Sequence, residues 1–208
     1  MSNLIFQKSN ANDNLYMNPL KFIDTLESSK HIVLYYENPK FGKKIEFRFI
    51  RNGLLKGESC IFATREEDID FIKFEMTNDS INVANYTKRG LLKIFKLPDI
   101  MKHPDGVMRG AEEAMDKMFT GLIPPFRLVM RMTDKVNTEE QIIANLVLEQ
   151  KYHFNFDKFD GLVLCTYDIN EIPINTHGKW VEIILKNHHS AIFATGIIEE
   201  GIAFDRQQ

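Results

Sequence analysis

The chain has 208 residues, 44% of them hydrophobic, and a formal net charge of −3 at pH 7. That length and apolar content suit one domain with a full core, and interspersed charges of both signs exclude the basic face that nucleic-acid binding needs. No apolar run reaches the ~18–20 residues that span a bilayer, the Met-Ser-Asn start lacks a signal-peptide pattern, and Cys60 and Cys165 sit in apolar strand-like runs that fit a reducing, cytoplasmic setting.

Residues 1–18 are asparagine-rich and weakly patterned, and Leu20 to Leu26 reads as a short helix. The chain divides into an arm, residues 1–25, and one domain, residues 26–208. His31 to Tyr36 is a buried first strand. The helix after it runs from Phe41 to Gly57, with Phe41, Ile45 and Phe49 one turn apart and Gly57 as its C-cap. Ser59 to Ala63 is the second strand. Thr64-Arg65-Glu66-Glu67 has the form of a capping box for a helix carrying Ile69, Ile72 and Met76. Ile81 to Leu97 reads as β-rich, with a turn near Lys88-Arg89-Gly90.

Pro104-Asp105 opens a methionine-rich helix that ends at Gly121, and its methionines are most simply core. Phe126 to Met132 is a strand. Thr138 with Gln141 caps the next helix, which carries Ile142, Leu146 and Glu149. Leu162 to Tyr167 is a strand, Asn175 or Thr176 starts a last helix with Trp180, Ile184 and His188, Ala191 to Thr195 is a further strand, and a hairpin near Glu199-Glu200-Gly201 closes the chain. Continuously apolar strands spaced by helices predict an α/β fold: three layers, a mostly parallel sheet with helices on both faces. Ligands in such sheets bind beyond the carboxyl ends of the strands.

At the first strand–helix junction a P-loop protein carries G-x-x-x-x-G-K-[ST], whose backbone N–H groups wrap a phosphate. Here the junction reads Glu37-Asn38-Pro39-Lys40-Phe41-Gly42-Lys43-Lys44. Gly42-Lys43 keeps its place, but Glu37 stands for the first glycine, Lys44 for the magnesium-binding hydroxyl, and Pro39 removes a donor. Gly42, Lys43 and Lys44 therefore form a degenerate phosphate site, and ordinary ATP hydrolysis is not expected.

The strand ends offer Tyr36, Glu37, Arg65, Arg131, Tyr167 and Asp168 as candidates for holding a small polar or anionic ligand. The plain alternative is that they are caps, turn formers and solvated charges. Asp134 and Asp168 follow apolar strands as a magnesium-binding aspartate would, but aspartate is also a common turn residue there. His188-His189 is the one histidine pair, and no His/Cys cluster at metal spacing lies nearby, so His188 reads as a helix C-terminal residue, His31 as a strand-start residue, and neither metal nor cofactor is expected. Cys60 and Cys165 read as small core residues.

Three stretches carry a family likeness. His31-Ile32-Val33-Leu34-Tyr35-Tyr36-Glu37 matches H-h-h-x-h-Y-E, Phe49 to Cys60 matches F-h-x-x-G-L-x-x-G-E-x-C, and Leu164-Cys165-Thr166-Tyr167-Asp168 matches h-C-x-Y-D. Glu149 and His188 or His189 are weaker matches. The chain thus resembles the MEDS family, the methanogen/methylotroph sensory domain, over roughly residues 26–196. The resemblance implies a RecA/KaiC-like fold without a working phosphate loop, and a sensor of small molecules such as hydrocarbon derivatives. Family members sit beside DNA-binding domains or histidine kinases. No such output domain follows here, so the expected role is non-enzymatic signal transduction through a separate kinase or transcription regulator, or through a homo-oligomer. The alternative is a nucleotide-binding protein or enzyme that uses the degenerate P-loop with Lys43, Lys44 and Asp134. A pure interaction module is a third reading.

Overall fold

The computed structural model describes residues 16–27, 29–66, 68–131, 133, 136–174, 177–195 and 200–206. In chain order the elements are α1 (Pro19–Asp24), β1 (Lys30–Tyr36), α2 (Pro39–Lys56), β2 (Ser59–Thr64), α3 (Ile69–Asn78), α4 (Val83–Lys88), β3 (Leu92–Lys96), α5 (Val107–Phe119), β4 (Phe126–Met130), α6 (Glu139–Phe154), β5 (Gly161–Asp168), α7 (His177–Lys186), β6 (Ser190–Ala194) and β7 (Ile202–Asp205). One sheet takes the order β3-β2-β4-β5-β1-β6-β7. Every pairing in it is parallel except β6 with β7. Among the described residues no helix is long and apolar enough to cross a membrane.

Side chains alternate across the strands, and each set builds its own core. Ile32, Leu34, Phe62, Val129 and Leu164 meet Phe41, Ile45 and Phe49 of α2 on one face. Val33, Tyr35, Val163, Cys165 and Tyr167 meet Ala111 and Ala114 of α5, Leu148 of α6, and Trp180 and Ile184 of α7 on the other. This is the three-layer α/β arrangement that the apolar strands predict.

Two stretches differ from the sequence reading. The segment 81–97 is not β throughout: Asn82 caps a one-and-a-half-turn helix by accepting from the Asn85 N–H, Gly90 at φ 70° stops the turn, and only Leu92–Lys96 pairs as a strand. The helix after β2 is capped by Asp68 rather than Thr64. The Asp68 Oδ1 accepts from the Asp70 and Phe71 N–H groups, while Thr64 stays in β2 and its hydroxyl accepts from Glu66 N–H. Glu67 lies outside the described residues, as do Asn175, Thr176 and Glu199. The capping box at Thr138 and Gln141 and the left-handed C-cap at Gly57 form as expected.

The family-like stretch Gly53 to Cys60 has a packing reason. Arg127 of β4 is buried beneath α2, with Nε and Nη2 donating to Glu58 at 2.6 and 3.1 Å and Nη1 donating to the Phe49 carbonyl at 3.1 Å. A Cβ on Gly53 would come within 2.6 Å of Arg127 Cδ and 2.7 Å of Cys60 Sγ, so only glycine lets the helix lie on the guanidinium stem. Gly57 then turns the chain so that Glu58 faces the arginine. Glu58→Ala should cost about 3–5 kcal/mol in urea unfolding, because it strands a buried cation, and Gly53→Ala about 1–3 kcal/mol from overpacking. A loss below about half a kcal/mol for Glu58→Ala would mean that the pair adds nothing to the fold.

Candidate functional site

The junction between β1 and α2 consists of Glu37 and Asn38 alone. Asn38 caps α2, its side chain accepting from the Lys40 N–H, and Pro39 occupies the first turn. The Tyr36 ring lies directly on the backbone of Gly42, where a Cβ would come within 2.7 Å of it. Lys43 pairs with Glu75 of α3.

Beyond this junction, at the carboxyl ends of β1, β2, β4 and β5, lies a cleft of about 260 Å³ on the α2 face of the sheet. Tyr36, Lys43, Glu46, Arg65, Arg131 and Thr166 supply its polar wall. Phe62, Ile72, Leu97 and Val129 supply its apolar floor. Glu46 is buried one helical turn beyond Gly42. Burial pushes its carboxyl up to about 7, against the pull of a hydrogen bond from Thr166 and of the Lys43 and Arg131 cations. Burial also raises the Tyr36 phenol well above its usual range, with Glu46 adding to the effect. Arg131 donates from Nη1 to Glu171 at 2.9 Å across the rim.

Of the strand-end residues expected to hold a ligand, Tyr36, Arg65 and Arg131 meet in this cleft. Tyr167 does not. It is one residue off in parity, so β5 turns it to the opposite face, where its ring packs on Trp180. Asp168 accepts from the Asn170 N–H at 2.9 Å as a turn cap, and the Glu37 carbonyl accepts from Asn170 Nδ2 at 2.9 Å. Gly42 serves as the seat for Tyr36, Lys43 reaches the cleft, and Lys44 lines a neighbouring open depression of about 470 Å³ with Lys40 and Lys43. Asp134 lies outside the described residues. Sequence reasoning missed Glu46 and Thr166. A carboxylate next to Ile45 on an apolar helix stripe was the available signal for Glu46.

A second polar centre lies on the other face, between the amino end of β1 and the middle of β5. His31, Glu149, Cys165 and His188 are all buried, and one ligand atom of each falls within 4.8 Å of the others. His31 Nε2 is 3.2 Å from Cys165 Sγ and 3.4 Å from Glu149 Oε2, which is itself 3.5 Å from His188 Nε2 and 3.6 Å from Cys165 Sγ. Burial pulls both imidazoles down to about 3, so both are neutral at pH 7, and it raises the Cys165 thiol, with Glu149 adding to the effect. The other Glu149 oxygen accepts from the Tyr167 hydroxyl. That hydroxyl accepts from Asn145 Nδ2 at 2.8 Å, and Asn145 Oδ1 accepts from Trp180 Nε1 at 3.1 Å. Cys60 is not part of any such group: burial raises its thiol, and its Sγ contacts the Ile50 carbonyl.

The fold is similar to solved structures of the KaiC type. A KaiC-like protein, PH0186, from Pyrococcus horikoshii OT3 aligns at TM-score 0.57 and 16% identity, over 88% of this chain and 81% of that one. The flagellar accessory protein FlaH of Methanocaldococcus jannaschii aligns at TM-score 0.55 and 13% identity, over 84% and 75%. An uncharacterized protein, PH0321, from Pyrococcus horikoshii, solved with an unknown peptide, aligns at TM-score 0.57 and 13% identity, over 88% and 86%. At these identities the likeness establishes a RecA/KaiC-like fold. No curated protein matches the chain. The model of the methanogen/methylotroph, DcmR sensory domain matches residues 30–179, which is most of the chain and contains the cleft's Tyr36, Glu46, Arg131 and Thr166. The chain belongs to the MEDS family of sensory domains.

Proposed function

We propose that this chain is a non-enzymatic sensor that binds a small amphipathic molecule in the strand-end cleft. The observation that carries the reading is the closed β1–α2 junction beside an open cleft. Two residues, a self-capped helix and a tyrosine ring on Gly42 leave no loop to wrap a phosphate, while the cleft beyond keeps its polar wall and apolar floor. Arg131 and Arg65 suit a carboxylate or similar head group, and Phe62, Ile72 and Val129 suit a short hydrocarbon body. Glu46 titrates near neutrality and would report the ligand's charge. The signal leaves through a separate kinase or transcription regulator, or through self-association, and it is no larger than the ligand's preference between two states.

A second reading, nucleotide binding at a remodelled site, has one observation in its favour. Lys40, Lys43 and Lys44 share the open depression beside α2 with Glu75 and Asp79. In that case Lys43→Ala abolishes binding of ATP or GTP.

Thermal-shift screening against small carboxylates and halogenated or oxygenated hydrocarbons tests the cleft. A ligand at about 100 times its Kd should stabilise the fold by about 2.7 kcal/mol. Arg131→Ala should weaken that ligand about tenfold or more. Hits that are insensitive to Arg131 and Glu46 substitution would place the ligand elsewhere. The ligand-free protein should also show the Glu46 titration. Its carboxyl moves from 4.5 when solvated to about 7 when folded, so the native state holds an extra proton between those values. Stability therefore falls by up to about 3 kcal/mol as pH rises from about 4.5 to 7. Glu46→Gln should flatten that slope, coming nearest the parent at about pH 4 and exceeding it at pH 8. Parallel pH profiles for parent and variant would show that Glu46 is not the titrating group.

A further inference from the structure

We propose that His31, Glu149, Cys165 and His188 form a four-ligand site for a zinc-class divalent cation, on the opposite face of the sheet from the cleft. The donors are two imidazole Nε2 atoms, one thiolate and one carboxylate oxygen. That set selects Zn²⁺ over magnesium or calcium, which take oxygen ligands.

The spacing fits. A tetrahedral ion with Zn–N and Zn–O near 2.0–2.1 Å and Zn–S near 2.3 Å sets its ligand atoms roughly 3.3–3.7 Å apart. Four edges of this cluster run 3.2, 3.4, 3.5 and 3.6 Å, and all six lie within 4.8 Å.

The protonation pattern fits as well. His188 Nδ1 donates to the Ile184 carbonyl at 2.7 Å, which fixes the tautomer and leaves a lone pair on Nε2. That Nε2 is buried and closes no hydrogen bond, yet it faces a carboxylate oxygen. Two acceptors pointed at each other in a buried core repel unless a proton or a metal cation lies between them, and a metal ion satisfies both along with the neighbouring thiol and His31. The thiolate and the carboxylate together balance a 2+ ion, so the loaded site adds no net charge to the core, and binding sends the Cys165 proton to solvent.

The surroundings supply an outer shell and a route. Tyr167 holds the distal Glu149 oxygen and is itself held by Asn145 and Trp180, the kind of backing that orients a ligating carboxylate. A cavity of about 530 Å³ lined by His153, His189 and Asp157 reaches His188 from the surface. His153 and His189 line it with their rings 4.8 Å apart, and His189 Nδ1 accepts from the His31 N–H at 2.9 Å.

The full-length chain, stripped with a chelator and dialysed, is titrated with Co²⁺ and then Zn²⁺. The expected result is one ion per chain, with the visible bands of tetrahedral cobalt and a thiolate-to-cobalt charge-transfer band that Zn²⁺ displaces. Cys165→Ala should lose the charge-transfer band and weaken Zn²⁺ more than about 100-fold, Tyr167→Phe should weaken it about 10-fold while keeping the band, and Cys60→Ala should bind as the parent does. The inference is overturned if the folded parent takes up less than about a tenth of an ion per chain at 100 µM Zn²⁺, or if Cys165→Ala binds like the parent. The parent titration decides the matter even if a core variant fails to fold.

Discussion

The length of the β1–α2 junction governs the architecture of the cleft. With only Glu37 and Asn38 between strand and helix, α2 must begin flush with the end of the sheet. Its first turn is satisfied internally by the Asn38 side chain, so the helix N-terminus has less unpaired N–H to offer an anion. Flush placement also brings Gly42 under Tyr36, sets Glu46 one turn later against Thr166, and lets Lys43 reach Glu75 on α3. A longer glycine-rich loop would lift the helix start away from the rim and remove each of these contacts. In this sense the cleft is built from the residues of the β1–α2 junction and the first turns of α2.

The same two central strands serve both polar centres. β1 and β5 are adjacent, and Tyr36 and Thr166 face α2 while His31, Cys165 and Tyr167 face α6 and α7. One-residue alternation keeps a partly solvated cleft and a dry cluster apart across a single sheet. The dry cluster exists because Glu149 is a carboxylate in a core. Such a group is tolerated only when its oxygens are occupied, and the chain spends Tyr167, Asn145 and Trp180 on one of them. The other oxygen points at His31, His188 and Cys165.

Much of the fold was legible because its signals are local. The apolar runs at 31–36, 59–63 and 162–167, the one-turn spacing in α2 and the Thr138–Gln141 box each sit within one element. The short helix α4 was not legible: six residues carry too little periodicity to outweigh β-forming neighbours, and only the Asn82 cap marks it. For the cleft, knowing the strand ends was enough to find Tyr36, Arg65 and Arg131 but not to exclude Tyr167, since parity along β5 depends on where its pairing begins. The buried cluster could not be read at all from spacing. Its ligands come from β1, α6, β5 and the end of α7, and no two are near enough in sequence to form a metal motif.

The most direct test of the central claim, that the start of α2 has stopped holding phosphate, is an amide NMR titration of the full chain with magnesium ATP. The account predicts that the backbone amides of Lys40, Phe41, Gly42 and Lys43 keep their positions at millimolar nucleotide. A saturable, magnesium-dependent shift centred on Gly42 and Lys43 would contradict it.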